Sequence, residues 1–159
     1  VRALKHEQQV VLEFQNKYVP LVVKLAPDLA AEELHNIAEI LLTEKIDAVI
    51  ATNTTLSREG VEDSPFAKEE GGLSGRPLCK RSTAAIKQLQ TVFKDHIPII
   101  AAGGILCEKS AFEKISAGAS LVQLYSGLIF NGPAFVRDVL WMVLRENVDP
   151  STRYRHSVS

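Results

Sequence analysis

The sequence predicts an α/β fold: a parallel sheet covered by helices, of the (β/α) barrel type, with about four strand–helix units. Three observations predict it. Strand-length apolar runs alternate with stretches of helical periodicity along most of the chain. The strand runs are apolar nearly throughout, as in strands buried on both faces. The last two, 99–105 and 121–127, end in Gly103-Gly104 and Tyr125-Ser126-Gly127, and lie about one strand–helix unit apart. Consecutive strands ending in this way have the form of the phosphate grip of a β/α barrel, where glycines let backbone N–H groups approach an anion closely. Two ordinary β-turns are the alternative.

Each element has its own justification. From Arg2 to about Lys17, Leu4, Val10, Val11 and Phe14 mark an amphipathic helix. Residues 20–25 form a strand-length run closed by Ala26-Pro27-Asp28. Helical periodicity follows from Ala30 to Thr43, with Leu34, Ile37, Ala38, Leu41 and Leu42 on one face. Glu32 and Glu33 suit the positive pole of that helix. Ile46 to Ala51 is the next strand. The segment from about Thr52 to Arg76 is rich in Gly, Ser, Pro and Glu, and is far longer than a usual βα connection. Pro77 opens a helix to about Lys94. Then follow a strand at 98–101, a helix near 108–117, a strand at 121–124 and a helix from Ala134 to Arg145. Residues 147–159 read as a polar tail.

Four such units fit a small open doubly wound domain or half of an eight-unit barrel, which needs about 250 residues. The helix-first start and the tandem turns favour the barrel. The start at Val1, directly in a helical pattern, suggests a piece of something longer.

The bulk properties exclude several classes. The chain has 159 residues, 46% hydrophobic and 23% charged, with a net charge of −1. That is ordinary globular composition and carries no basic footprint for nucleic acid or a membrane surface. Cys79 and Cys107 lie far apart without metal-ligand spacing and read as reduced thiols. No metal site is expected. No run reaches transmembrane length, and no signal peptide opens the chain. His6 and His35 fall on helices, His96 in a turn and His156 in the tail, so none is a catalytic candidate. Trp141 and Met142 read as helix packing.

The candidate site residues fall at the ends of strands. Lys24 interrupts an apolar strand near its C-terminal end. It either snorkels to solvent or faces an anionic ligand at the barrel mouth. Thr52-Asn53-Thr54-Thr55 follows the next strand directly. Its donors and acceptors suit a planar ligand, and equally a turn or a helix cap. Gly71-Gly72-Leu73-Ser74-Gly75-Arg76-Pro77 permits close approach to a flat ligand, or serves as a hinge.

Taken together, residues 19–29, 47–58, 71–78, 98–105 and 117–133 (VPLVVKLAPDL, DAVIATNTTLSR, GGLSGRPL, PIIAAGGI and AGASLVQLYSGLIFNGP) resemble the C-terminal half of the dihydroorotate dehydrogenases, in particular the quinone-dependent, membrane-associated class. The likeness runs to about Val143. It implies that residues 1–146 are the C-terminal part of an FMN-binding (β/α)8, TIM-type barrel. The activity implied is oxidation of dihydroorotate to orotate in pyrimidine synthesis, with hydride passing to the flavin and a quinone reoxidising it. Lys24 would stabilise the anionic reduced flavin, Thr52 would contact the isoalloxazine and Gly75 would lie along the flavin. Gly103, Gly104, Tyr125, Ser126 and Gly127 would hold the FMN phosphate. Asn53 and Thr54 would bind the pyrimidine, under a lid formed by residues between Thr55 and Gly72.

In this family the catalytic serine base lies in the first half of the barrel, and the quinone- and membrane-contacting helices precede it. No catalytic residue is therefore expected in this chain, and Ser57, Ser64 and Ser74 are not assigned as the base. The full-length protein would lie peripherally on the inner membrane, bacterial or mitochondrial. This chain alone would be soluble, inactive and prone to self-association through open sheet edges. Two other readings are a non-catalytic phosphate- or nucleotide-binding α/β module and a different flavin barrel such as a dihydrouridine synthase.

Overall fold

The computed structural model describes residues 1–146. The tail expected at 147–159, with His156, lies outside the described residues. The elements in order are α1 (Arg2–Gln15), β1 (Val22–Leu25), α2 (Ala31–Thr43), β2 (Ala48–Ala51), α3 (Cys79–Phe93), β3 (Ile99–Ala102), α4 (Glu108–Ser116), β4 (Leu121–Gln123), α5 (Ser126–Asn131) and α6 (Ala134–Glu146). A single 3₁₀ turn, Arg76–Leu78, leads into α3, with Pro77 inside it. The expected strand–helix alternation is present throughout. Helix α1 ends at Gln15, two residues short of Lys17, and is capped by Asn16 in the left-handed region. The short helix α5 replaces what the sequence suggested was a turn.

All strands are parallel, and the sheet order is β1-β2-β3-β4. This monotonic order decides between the two architectures. A doubly wound sheet reverses its strand order, and its helices fall on both faces. Here the order never reverses, so right-handed crossovers carry every helix to the same face. Helix α2 packs on α3, α3 on α4, and α4 on α6. The fold is therefore of the barrel type, with four βα units.

The core lies between sheet and helices. Val49, Ala51, Ile99 and Ala101 meet Leu34, Ala38 and Leu41 of α2, Ile86, Leu89 and Phe93 of α3, and Ala111 and Ile115 of α4. Burying each larger side chain contributes about 2 kcal/mol. The opposite sheet face carries the row Lys24, Ile50, Ile100 and Leu121, aligned by the strand register. On the edge strands this face is open: Val22 is 42% and Leu121 57% exposed. The expectation of burial on both faces thus fails on the edge strands, and on the central strands β2 and β3 Ile50 and Ile100 are half-buried. Met142 packs against the core, as expected, whereas Trp141 is exposed and does not.

A polar knot joins α1 to the sheet. The Asp47 carboxylate accepts from the Tyr18 hydroxyl, from Leu21 N at 2.7 Å and from Gln8 Nε2 at 2.9 Å. Burial pushes this carboxyl up, but those hydrogen bonds outweigh it and hold it below its ordinary value. At α2, the Glu33 carboxylate accepts from Ala30 N at 2.9 Å, which bears out the role read from its acidic first turn.

Candidate functional site

Parallel strands in register deliver their C-terminal ends to one rim. The ends of all four strands open there onto a cleft of about 290 Å³. Lys24 enters from β1, Thr52, Asn53 and Thr54 from β2, Gly103 and Gly104 from β3, and Tyr125, Ser126 and Gly127 from β4. Ser74 and Gly75 close it from the β2–α3 segment. Each residue given a flavin- or pyrimidine-binding role in the sequence therefore lines one cleft, whereas Thr55, Gly71, Gly72, Leu73, Arg76 and Pro77 of the candidate segments do not. Among the described residues, Lys24 is its only charged lining residue, and no carboxylate, histidine or cysteine lines it. Lys24 is exposed at the cleft. Strand alternation puts it on the face away from the helices.

Backbone hydrogen bonds fix the end of β2. Thr52 N donates to Ala102 O at 2.7 Å and Asn53 N to Leu25 O at 2.7 Å, stapling this turn to both neighbouring strands. Thr52 is buried, and its hydroxyl donates to Asn53 O at 3.0 Å. The Asn53 side chain is exposed at the cleft.

The two terminal turns are close-packed. Gly104 has φ +71°, and a Cβ there would lie 2.3 Å from Cys79 Cα. A Cβ on Gly127 would lie 2.1 Å from Ile105 O. So α3 and the β4–α5 turn press directly on the β3–α4 turn, and only glycine leaves room. Ser74 Oγ and Ser126 Oγ, 2.9 Å apart, bridge the cleft's edges. Tyr125 is 77% exposed, so its backbone rather than its ring forms the turn.

The long segment after β2 is rooted at both ends. Thr55 and Leu73 exchange backbone hydrogen bonds of 3.0 and 2.7 Å. Asp28 accepts from Thr55 Oγ1, from Leu56 N at 2.8 Å and from Arg81 Nη1 at 3.1 Å. Burial raises the Asp28 carboxyl. The bonds from Thr55 and Leu56 and the charge of Arg81 overcome this and leave it below its ordinary value. Inside the segment, the Arg58 guanidinium donates to the carbonyls of Ala67, Glu69 and Gly71. A second hollow, of about 430 Å³ between α4 and α6, is lined by Glu108, Asp138, Trp141, Met142 and Arg145, away from the strand ends.

A family model described as dihydroorotate dehydrogenase matches residues 3–145. The chain belongs to the dihydroorotate dehydrogenase family. It is 53% identical over 135 residues to a dihydroorotate dehydrogenase (quinone) of Azoarcus sp., covering 85% of this chain and 40% of that protein. It is 54% identical over 134 residues to the protein of the same description from Nitrosomonas europaea, covering 84% and 39%. Among solved structures, the dihydroorotate dehydrogenase of Eimeria tenella in complex with ferulenol superposes with a TM-score of 0.76 at 40% identity, over 82% of this chain and 35% of that one. The chain thus spans about 40% of the length of the curated relatives it matches.

Several lining residues of this family member were not singled out from the sequence. Gln123 shares strand parity with Leu121, and its register opposite Ala102 brings it to the rim. Polarity in an otherwise apolar strand was the available signal, as for Lys24. Leu78 and Ile105 line the cleft only because the 3₁₀ turn folds onto the β3–α4 turn, which no local pattern announces. Cys79 and Cys107 are both free thiols. Among the described residues, no helix is long and apolar enough to cross a membrane.

Proposed function

We propose that this chain forms the flavin- and pyrimidine-binding part of a dihydroorotate dehydrogenase, with FMN as cofactor, in the route to pyrimidine nucleotides. The carrying observation is the convergence of Lys24, the Thr52–Thr54 turn and both glycine turns on one cleft without acidic lining. The residues present fit FMN. Gly103 and Gly104 bring side-chain-free backbone to the cleft lining, the approach a phosphate needs. Lys24 offers the one charge suited to an anionic reduced ring system. When bound, FMN supplies the hydride acceptor for dihydroorotate. Thr52 and Gly75 line the ring, and the Gly103–Gly104 and Tyr125–Gly127 turns take the phosphate. Asn53 and Thr54 hydrogen-bond the pyrimidine, covered by the segment between Thr55 and Gly72. The quinone acceptor follows from the description of the relatives, and peripheral inner-membrane association goes with such an acceptor.

Among the described residues the cleft holds no activated base. Ser74 and Ser126 bond to each other, and neither has a histidine or carboxylate beside it. Residues 1–146 thus bind and orient, and proton abstraction falls to a group outside them. Visible absorption of the purified chain after FMN addition and gel filtration tests this reading. Flavin should elute with the protein, and added dihydroorotate should leave its colour unbleached. A colourless protein fraction would refute the flavin site, and bleaching would refute the absence of a base.

A further inference from the structure

Lys114 is the one charged side chain among the described residues that is buried, with no exposed surface. It lies on the buried stripe of α4 with Ser110, Ala111 and Ile115. Its ammonium donates to Cys79 O at 2.6 Å, Ser82 Oγ at 2.5 Å and Thr83 Oγ1 at 2.6 Å, which uses all its protons. These acceptors are neutral, so the charge is hydrogen-bonded without an ion-pair partner among them. Burial pulls this ammonium down to about 8, opposed by the nearby Glu113 carboxylate, and it stays mostly protonated at neutral pH. A buried charge of this kind weakens a fold relative to an apolar side chain of similar size.

Its acceptors indicate what it does instead. Ser82 Oγ accepts from Lys114 and donates to Gly103 O at 2.8 Å. In a trans peptide the carbonyl and the following N–H point in opposite directions. A Gly103 carbonyl drawn toward α3 therefore turns the Gly104 N–H away from α3, and Gly103 and Gly104 both line the cleft.

We infer that Lys114 is a positioning residue for an anion-binding turn: through Ser82 it holds the Gly103 carbonyl, aims the Gly104 N–H into the cleft, and places a buried positive charge behind the site of a phosphomonoester. The inference rests on the proposed reading of this cleft as a flavin phosphate site.

Affinities of the 159-residue chain for FMN and for riboflavin, which lacks the phosphate, separate the two claims. The wild type should prefer FMN. Lys114→Met should weaken FMN about tenfold, the scale of a charge-assisted hydrogen bond, while riboflavin changes by less than about twofold. Ser82→Ala, which leaves Lys114 two of its acceptors, should shift the preference in the same direction. A wild type that binds both flavins equally, or neither, overturns the phosphate reading and this inference with it. A wild-type preference that survives in both variants overturns the inference alone. If Lys114→Met gives no cooperative melt by circular dichroism, Ser82→Ala decides.

Discussion

Replacing Gly104 by alanine separates two reasons for a glycine. Backbone conformation is one: φ is +71°, where an L-residue costs about 1–2 kcal/mol. Close approach is the other: the new Cβ would lie 2.3 Å from Cys79 Cα, 2.5 Å from Cys79 N and 2.6 Å from Cys79 Cβ. Those atoms open α3 and cannot swing aside as a flexible side chain would, so relieving the overlap means moving the helix start. Overpacking of this kind adds about 1–3 kcal/mol, for a total of about 2–5 kcal/mol. Gly60 supplies the control. Its φ is +81°, and a Cβ there meets nothing within 4 Å, so Gly60→Ala should cost only about 1–2 kcal/mol. Urea unfolding followed by far-ultraviolet circular dichroism measures both from their midpoints at unchanged slope. Equal losses in the two variants would refute the argument that α3 presses on the turn.

Other expectations follow from the charges and edges. Between pH about 8 and its ordinary value of 10.5, Lys114 binds fewer protons in the folded than in the unfolded chain. Wild-type stability should therefore rise across that window relative to Lys114→Met, by about 3 kcal/mol, and a pH-independent difference in urea midpoints would contradict this. Asp28 has the same sign, in the acid range. Its lowered carboxyl contributes stability above the ordinary carboxylate range that is lost as pH falls through its folded value. Asp28→Asn should flatten the acid limb of the melting profile and expose the segment after Thr55 to proteolysis; an unaltered acid limb would exclude the clamp. Lys24→Met should weaken FMN and riboflavin alike, since Lys24 is placed by the ring and not the phosphate, and selective loss of FMN would refute that placement. Light scattering should show self-association through the open edges β1 and β4, where Val22 and Leu121 are exposed; a clean monomer with cooperative unfolding would count against it.

Much of this was legible in the sequence because strands announce themselves by composition and barrels put chemistry where strands end. Lys24 and the Thr52–Thr54 turn needed only the boundaries of β1 and β2. The reason for Gly104 was not legible, because its partner, Cys79, is fixed by how α3 returns to the sheet. Lys114 was a missed opportunity. Position 114 falls three residues after Ala111 and four after Ser110, on the stripe that α4 buries, yet among Glu108, Lys109 and Glu113 it looked like one more surface charge. Helix α5 has only six residues, too few for a period to show. The open faces of β1 and β4 escaped because an apolar run looks the same whether or not another surface covers it.

Arg58 and the Thr55–Leu73 bridge have a mechanical consequence. The guanidinium ties carbonyls from three points of the 56–72 segment to one another, while the ties to the rest of the molecule gather at its two roots. Such a segment is stiff inside and attached along a single line. Any displacement of it is a swing about that line, like a flap on a seam, with its internal hydrogen bonds carried along intact. Asp28 and Arg81 grip the segment at that seam, so substitutions there would loosen its attachment without changing its internal shape.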